Sequence, residues 1–266
     1  MIKKFSNFDI FSNVLITIPH SGTFLPSEIK KSSLSNHQKK LENYCIDWYT
    51  DDLYDFRHIM RNNQALNTIS NVIINVNRKP DINDCVPLVY EKTQIYKADQ
   101  EPDKKLRELL ITNYHIPYHE KIKSTKKIFI LDGHSTNSSI KDLSGKKMTK
   151  DIVISNWQNS KLDPKGGTYT CPERYIDCYL EELDKRLHHS IEKNTEYNST
   201  YGYIEATHGL NKLKAENDRA PLIFQETNED LYIKDGKKDS DKIQELNEIF
   251  AESLMSMIIK MKKYLI

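Results

Sequence analysis

Two short segments place a histidine beside a glycine at the close of an apolar run: Ile18-Pro19-His20-Ser21-Gly22 and Leu131-Asp132-Gly133-His134-Ser135. Neutral imidazole is a common zinc ligand, and a catalytic zinc typically takes three protein ligands with the fourth position open to water. In open α/β sheets ligands bind outside the carboxyl ends of the strands, so two such histidines can converge on one ion. A lone His-Ser-Gly reads more simply as a hydrogen-bonded loop; repetition at a second strand end brings a shared metal level with that reading. A third ligand has to be another histidine or a carboxylate. Asp47 and Asp51 stand four residues apart and share a helix face, yet that face lies opposite the stripe Cys45, Tyr49 and Phe56, which by periodicity makes them solvated aspartates. Glu226 ends the apolar run before it, where burial without a partner is costly and a raised pKa suits a general base; a strand-edge ion pair is the alternative. Asn77-Arg78 closes a further run. An arginine fork there matches a substrate carboxylate or, more plainly, a surface ion pair.

These side chains need a scaffold, and the hydrophobic pattern supplies one. Residues 14–18, 72–76, 128–131, 152–154 and 222–224 are short runs rich in isoleucine and valine without alternation, the pattern of strands covered on both faces. Helical periodicity fills the gaps at 41–56, 102–114, 175–191 and 243–265, with Pro102 suited to a first turn. Ile243, Leu246, Phe250, Leu254 and Met257 form one stripe of the last helix. Strands alternating with helices predict an α/β layered fold. Residues 139–150 and 235–241 are polar and read as loops. Nothing marks an internal boundary, so 1–266 is read as a single domain.

The 266 residues carry 39 basic and 38 acidic side chains, a net charge of +1. That balance gives no reason to expect a nucleic-acid or membrane-surface partner. Cys45, Cys85, Cys171 and Cys178 show neither CxxC pairs nor zinc-finger spacing, and Cys45 and Cys178 fall in apolar helical positions. No signal peptide opens the chain and no apolar stretch reaches the roughly 20 residues of a membrane span. A reducing cytoplasm is the expected setting.

Taken in order, the motifs resemble the N-formylglutamate amidohydrolase family. His20-Ser21-Gly22 resembles its opening Pro-His-x-Gly; Asp47-Trp48 through Asp51 to Phe56, its Asp-Trp-x-Val-Asp-x-Leu-Tyr segment; Asn77-Arg78, its Asp-Leu-Asn-Arg. Pro117-Tyr118-His119, Asp132-Gly133-His134-Ser135, Gly202-Tyr203-Ile204 with His208-Gly209, and Gln225-Glu226 with Leu231-Tyr232 follow with similar spacing. The resemblance implies a three-layer fold similar to the zinc exopeptidases and aspartoacylase-like deacylases: a twisted, mostly parallel, mixed sheet with helices on both faces. It implies a zinc ion held by His20, His134 and an aspartate, with Asp47 favoured and Asp51 the fallback. Glu226 would activate the water and later protonate the leaving amine. Arg78 and Asn77 would grip the substrate's α-carboxylate, Arg78 also supporting the oxyanion, and Tyr203 and His208 would line the substrate. The implied reaction is hydrolysis of an N-acyl amino acid such as N-formylglutamate.

Four departures bear on that picture. Asn71 replaces the arginine of the family's Ser-Arg, Asn75 replaces the aspartate before Leu-Asn-Arg, Tyr201 replaces the first glycine of Gly-Gly-Tyr-Ile, and the loop 79–97 lacks the usual glycines. Losing the arginine weakens the expectation of a dicarboxylic substrate. A peptidase or peptide-tailoring hydrolase on the same scaffold is the alternative, and a non-catalytic binding homologue a more remote one.

Overall fold

Strand β1 (Val14–Ile18) is apolar at four of five positions and buried throughout. Such a strand belongs in the interior of a sheet covered on both faces. The computed structural model, which describes residues 8–90, 92–136, 150–158, 168–193, 202–210 and 218–265, places it there. With β2 (Asn63–Leu66), β3 (Phe129–Thr136), β4 (Ile152–Ser155), β5 (Ile191–Lys193) and β6 (Leu222–Asn228) it forms a six-stranded sheet in the order β2-β1-β3-β6-β4-β5. Neighbouring strands run parallel except β6 and β4.

The main helices are α1 (Gln38–Cys45), α2 (Thr50–Leu53), α3 (Lys104–Leu110), α4 (Ile116–Ser124), α5 (Glu173–Asp184), α6 (Tyr203–His208) and α7 (Ser240–Leu265). Because side chains alternate along a strand, the central strands feed two cores. Val14, Ile16, Ile18, Phe129, Leu131 and Ile223 pack with α5 and α7 through Tyr175, Tyr179, Leu246 and Phe250. Leu15, Ile130 and Leu222 pack on the other face with Leu110 of α3 and Tyr118 and Ile122 of α4. The α/β layered fold is therefore the one the strand pattern predicts, and the three-layer, mostly parallel sheet the one the resemblance implies. The predicted stripe of α7 is buried at all five positions, and the four cysteines are free and buried. Among the described residues no helix is long and apolar enough to cross a membrane.

Several elements differ from expectation. Residues 72–76 are not a strand. They are buried, but their backbone is satisfied by turns, with Ile73 and Ile74 N–H on Ser70 O and Asn75 N–H on Cys85 O. The place beside β1 is taken by β2, Asn-Gln-Ala-Leu, whose composition carries no strand signal. The helix expected over 41–56 breaks after Cys45: Ile46 is extended and Tyr49 is left-handed at φ 61°. The helix expected over 102–114 starts two residues later, at Lys104, capped by the Asp103 carboxylate on Leu106 N–H at 2.7 Å. It also continues through a π turn (Ile111–His115) into α4, the extra residue easing the clash that Pro117 would cause in a regular helix. The helix expected over 175–191 stops at Asp184, and its last residue belongs to β5. Residues 235–241 are not a loop but a hairpin tip followed by the first turn of α7. The loop expected at 139–150 lies, apart from Lys150, outside the described residues, as does Tyr201.

Candidate functional site

The chain leaves β1 toward β2 and leaves β3 toward β4, on opposite sides, so the connections diverge at the carboxyl ends of β1 and β3. This is the switch point at which open α/β sheets bind ligands. His20 lies just past the end of β1. His134 lies inside β3 rather than after it, and Glu226 lies inside β6, because both strands run further than their apolar runs. Asp132 and His134, two apart, share one face of β3. His134 and Glu226 are register partners on adjacent parallel strands. Gly133, between Asp132 and His134, faces the other way, where a Cβ would come within 2.6 Å of the Tyr54 ring. Gly22 is held just as closely: its Cβ would meet Ile69 O at 2.2 Å, so the backbone after His20 can lie against residues 68–70 only without a side chain.

The break between α1 and α2 delivers Asp47. Its N–H bonds His20 O at 3.1 Å, and its carboxylate turns inward. Asp47 Oδ2 is 3.4 Å from His20 Nδ1 and 3.1 Å from His134 Nδ1, and accepts Ser135 N–H at 3.2 Å. The two imidazole rings meet edge-on, centroids 4.8 Å apart. The periodic reading of Asp47 as solvated is therefore overturned: helix periodicity does not apply across the non-helical residues 46–49. Asp51 lies exposed on α2 and takes no part in the cluster.

The outer ring nitrogens are also engaged. His134 Nε2 faces Asp132 Oδ2 at 3.2 Å, and His20 Nε2 faces Asn75 Oδ1 at 3.1 Å. Asp132 is held in turn by the Thr17 hydroxyl, and Asn75 Oδ1 accepts Asn77 N–H at 2.9 Å. The sequence pattern had not singled out Asp132 or Asn75 as supports for the histidines. Strand alternation is the signal that would have found Asp132. Glu229 adds a further brace, its Oε1 accepting Trp48 N–H and Ser135 Oγ–H, each at 3.0 Å.

This donor set fits a divalent ion. Two imidazole nitrogens and a carboxylate oxygen, three lone-pair atoms, converge in a buried space where they repel unless a cation or proton lies between them. A pair of histidines with one carboxylate is a catalytic zinc ligand set. Their outer nitrogens are oriented by oxygen acceptors, as metal-ligating histidines usually are. A second grouping, Asp132, His134 and Glu205, shares His134 and is wholly buried.

Electrostatics within the cluster are strong. Burial pushes the Asp47 carboxyl up, but His20 and His134 outweigh it and hold it well below the ordinary range. Burial would keep His134 neutral, yet Asp132 and Asp47 raise its pKa well above that of a free imidazole. Glu226 is pushed up to about 8, chiefly by burial and then by Asp47, Glu229 and Asp132, with His134 opposing.

Of the remaining predicted residues, Arg78 is half-buried on the turn after Asn75, its Nη1 donating to Asn77 O at 3.0 Å. Asn77 is buried, and its Oδ1 accepts Ile204 N–H at 2.9 Å, so it secures the start of α6. Tyr203 packs its ring on His115 and His119. His208 is buried at 2% exposure, its Nε2 2.9 Å from His119 Nδ1. The structure thus brings His20, Asp47, His134 and Glu226 together, and directs Asn77 and His208 into the packing behind them. Asn71, at the family's arginine position, is buried with its amide on Cys45 O.

Fold and cluster define a class: a three-layer α/β protein with a His-Asp-His centre at the sheet's switch point. Within that class the chain belongs to the N-formylglutamate amidohydrolase family, whose model matches residues 12–233, and so to enzymes that hydrolyse amides. Among solved structures it is similar to an N-formylglutamate amidohydrolase from Ralstonia eutropha, at 16% identity over 94% of each chain with a TM-score of 0.72. It is also similar to a gene product of Agrobacterium tumefaciens, at 16% identity over 94% of this chain and 93% of that one, TM-score 0.63. No curated protein sequence matches it.

Proposed function

We propose that the chain hydrolyses the amide bond of a small N-acyl, in the first place N-formyl, amino acid with the help of one divalent ion, zinc by the nature of its ligands, held by His20 Nδ1, Asp47 Oδ2 and His134 Nδ1. The observation that carries this reading is the convergence of the two Nδ1 atoms within 3.4 Å of Asp47 Oδ2, with Glu226 on the neighbouring strand in register with His134.

A zinc ion in such a centre polarises the scissile carbonyl and acidifies a water. The chain's own residues do the rest. Glu226 takes the proton of the attacking water and returns it to the leaving amine as the tetrahedral intermediate collapses. A carboxyl whose affinity for protons lies near neutrality can do both. Asp132 and Asn75 keep the two imidazoles turned so that each offers Nδ1 inward. Arg78, on the turn beyond Asn75, is the group we assign to the substrate's α-carboxylate or the developing oxyanion. We assign Asn77 and His208 to shaping the wall of the site, and Tyr203 to packing on its histidines, rather than to contact with substrate.

Asn71 favours a second reading of the substrate. With a neutral amide turned into the fold at that position, a second carboxylate such as that of N-formylglutamate loses one candidate partner, and an N-acyl amino acid or short peptide with an uncharged side chain becomes the better match. Zinc-loaded protein assayed against N-formylglutamate, N-formyl and N-acetyl derivatives of neutral amino acids, and short peptides separates the two. Full activity in metal-free protein would sink the metal-dependent reading; ordinary turnover of N-formylglutamate would remove the argument from Asn71. A zinc content well below one per chain, with no acyl amide cleaved, would favour a non-catalytic binding protein.

A further inference from the structure

The two imidazoles at the centre are backed by different chemistry. The outer nitrogen of His134 faces a carboxylate, Asp132 Oδ2 at 3.2 Å; that of His20 faces a carboxamide, Asn75 Oδ1 at 3.1 Å. The atom that Asn75 presents is fixed by its second partner. The same position accepts the backbone N–H of Asn77 at 2.9 Å, and an amide nitrogen there would set two N–H groups against each other, so it is the oxygen. That oxygen accepts from both neighbours, which puts the hydrogen of His20 on Nε2 and leaves the Nδ1 lone pair facing Asp47. Both rings therefore point the same nitrogen inward, but with unequal support. A carboxylate behind an imidazole makes it a more basic ligand; a neutral carbonyl orients it with less of that effect.

We infer that Asn75 is a positioning residue that fixes the ring and tautomer of His20 and, being neutral, sets the affinity of the centre for its divalent ion below what an aspartate in its place would give. The inference rests on the metal-centre reading above. An aspartate at this position would offer both neighbours the same acceptor oxygen with one more negative charge, so the asparagine differs from it in charge and not in reach. The site keeps its geometry and gives up part of its hold on the ion.

Zinc affinity of the purified chain, measured by competition with a chromophoric chelator, tests this without recourse to activity. Asn75→Asp keeps the acceptor for both neighbours and is expected to tighten zinc binding by roughly 10-fold or more, while Asn75→Leu, which removes the acceptor, is expected to weaken it by roughly 10- to 100-fold. A purely structural role predicts instead that both substitutions weaken binding together. Circular dichroism of the metal-free variants reports folding, and Asn75→Asp alone carries the test where Asn75→Leu fails to fold. Zinc binding by wild type that depends on His134, with Asn75→Asp equal to wild type or weaker, overturns the role of Asn75 and leaves the centre standing. A wild type that takes up no zinc, unaffected by His134→Ala, overturns the centre and the inference together.

Discussion

Two groups of buried histidines in this molecule carry opposite electrostatic character. His134 stands between Asp132 and Asp47, and those carboxylates raise its pKa well above that of a free imidazole although it is buried. His119 and His208, stacked 5.2 Å apart, are brought down by burial to about 4 and about 3. Their ring partners are each other and Val76 O, and neither offsets the cost of charging a ring. His115, against Arg78 O, is lowered as well by burial. Desolvation acts on all of them, and the presence of an anion a hydrogen bond away decides the outcome. The first group has the carboxylates that favour a cation; the second is a neutral wall that locks α4 to α6.

The contrast is open to attack at several points. His134→Ala removes a proposed ligand from the first group, and zinc binding should be lost along with several kcal/mol of transition-state stabilisation, roughly a thousandfold or more in hydrolysis. Zinc content and turnover measured on one preparation check it. Glu226→Gln keeps the proposed ligands and removes the proposed base, so hydrolysis should fall by about 10²- to 10⁴-fold while zinc content matches wild type. Loss of zinc in that variant would make Glu226 a ligand instead. In the second group, His208→Phe preserves the stacked ring but leaves His119 Nδ1 without its donor. Urea unfolding should show a loss of about 1–3 kcal/mol with zinc affinity unchanged, and the reverse outcome would erase the distinction between the two groups.

The smallest effect is in pH. In chelated protein Glu226 has a folded pKa of about 8 against an ordinary value of 4.5, so the folded state holds a proton that the unfolded state has released. Its contribution to stability is present below the ordinary value and is lost as pH rises through about 8; His134, also raised, acts with the same sign. Asp47, lowered, acts oppositely, and its contribution is lost only as pH falls into the acid range. The melting temperature of the chelated chain should therefore decline from about pH 5 to about pH 9, each kcal/mol costing about 2–4 °C, and Glu226→Gln should flatten that slope.

Much of the molecule was legible in the chain. Runs such as 14–18 and 152–154 are apolar at nearly every position because both faces of the sheet are covered, and that pattern survives without knowledge of any neighbour. His20, His134 and Glu226 could be read by position, since the carboxyl edge of a parallel sheet is where side chains leave the core. The errors fall where a residue's surroundings come from elsewhere in the chain. Residues 72–76 are as apolar as a strand, but their backbone partners were supplied by Ser70 and Cys85. Asp47 and Asp51 look alike in sequence, and only the break at Ile46–Tyr49 turns one inward and leaves the other in water.

The sequence by itself determined the layered α/β class, the family, and the residue types at the centre, because burial on two faces and the spacing of motifs are local, additive properties of a chain. The tertiary structure decided how Asp47, the aspartate the resemblance favours, reaches the histidines, and it alone placed Asn75 and Asp132 behind them and His208 in a wall. Those outcomes depend on contacts such as the 3.1 Å approach of Asp47 to His134, residues far apart in the chain. At that range the sign of a neighbour's charge outweighs anything a residue's own identity prescribes.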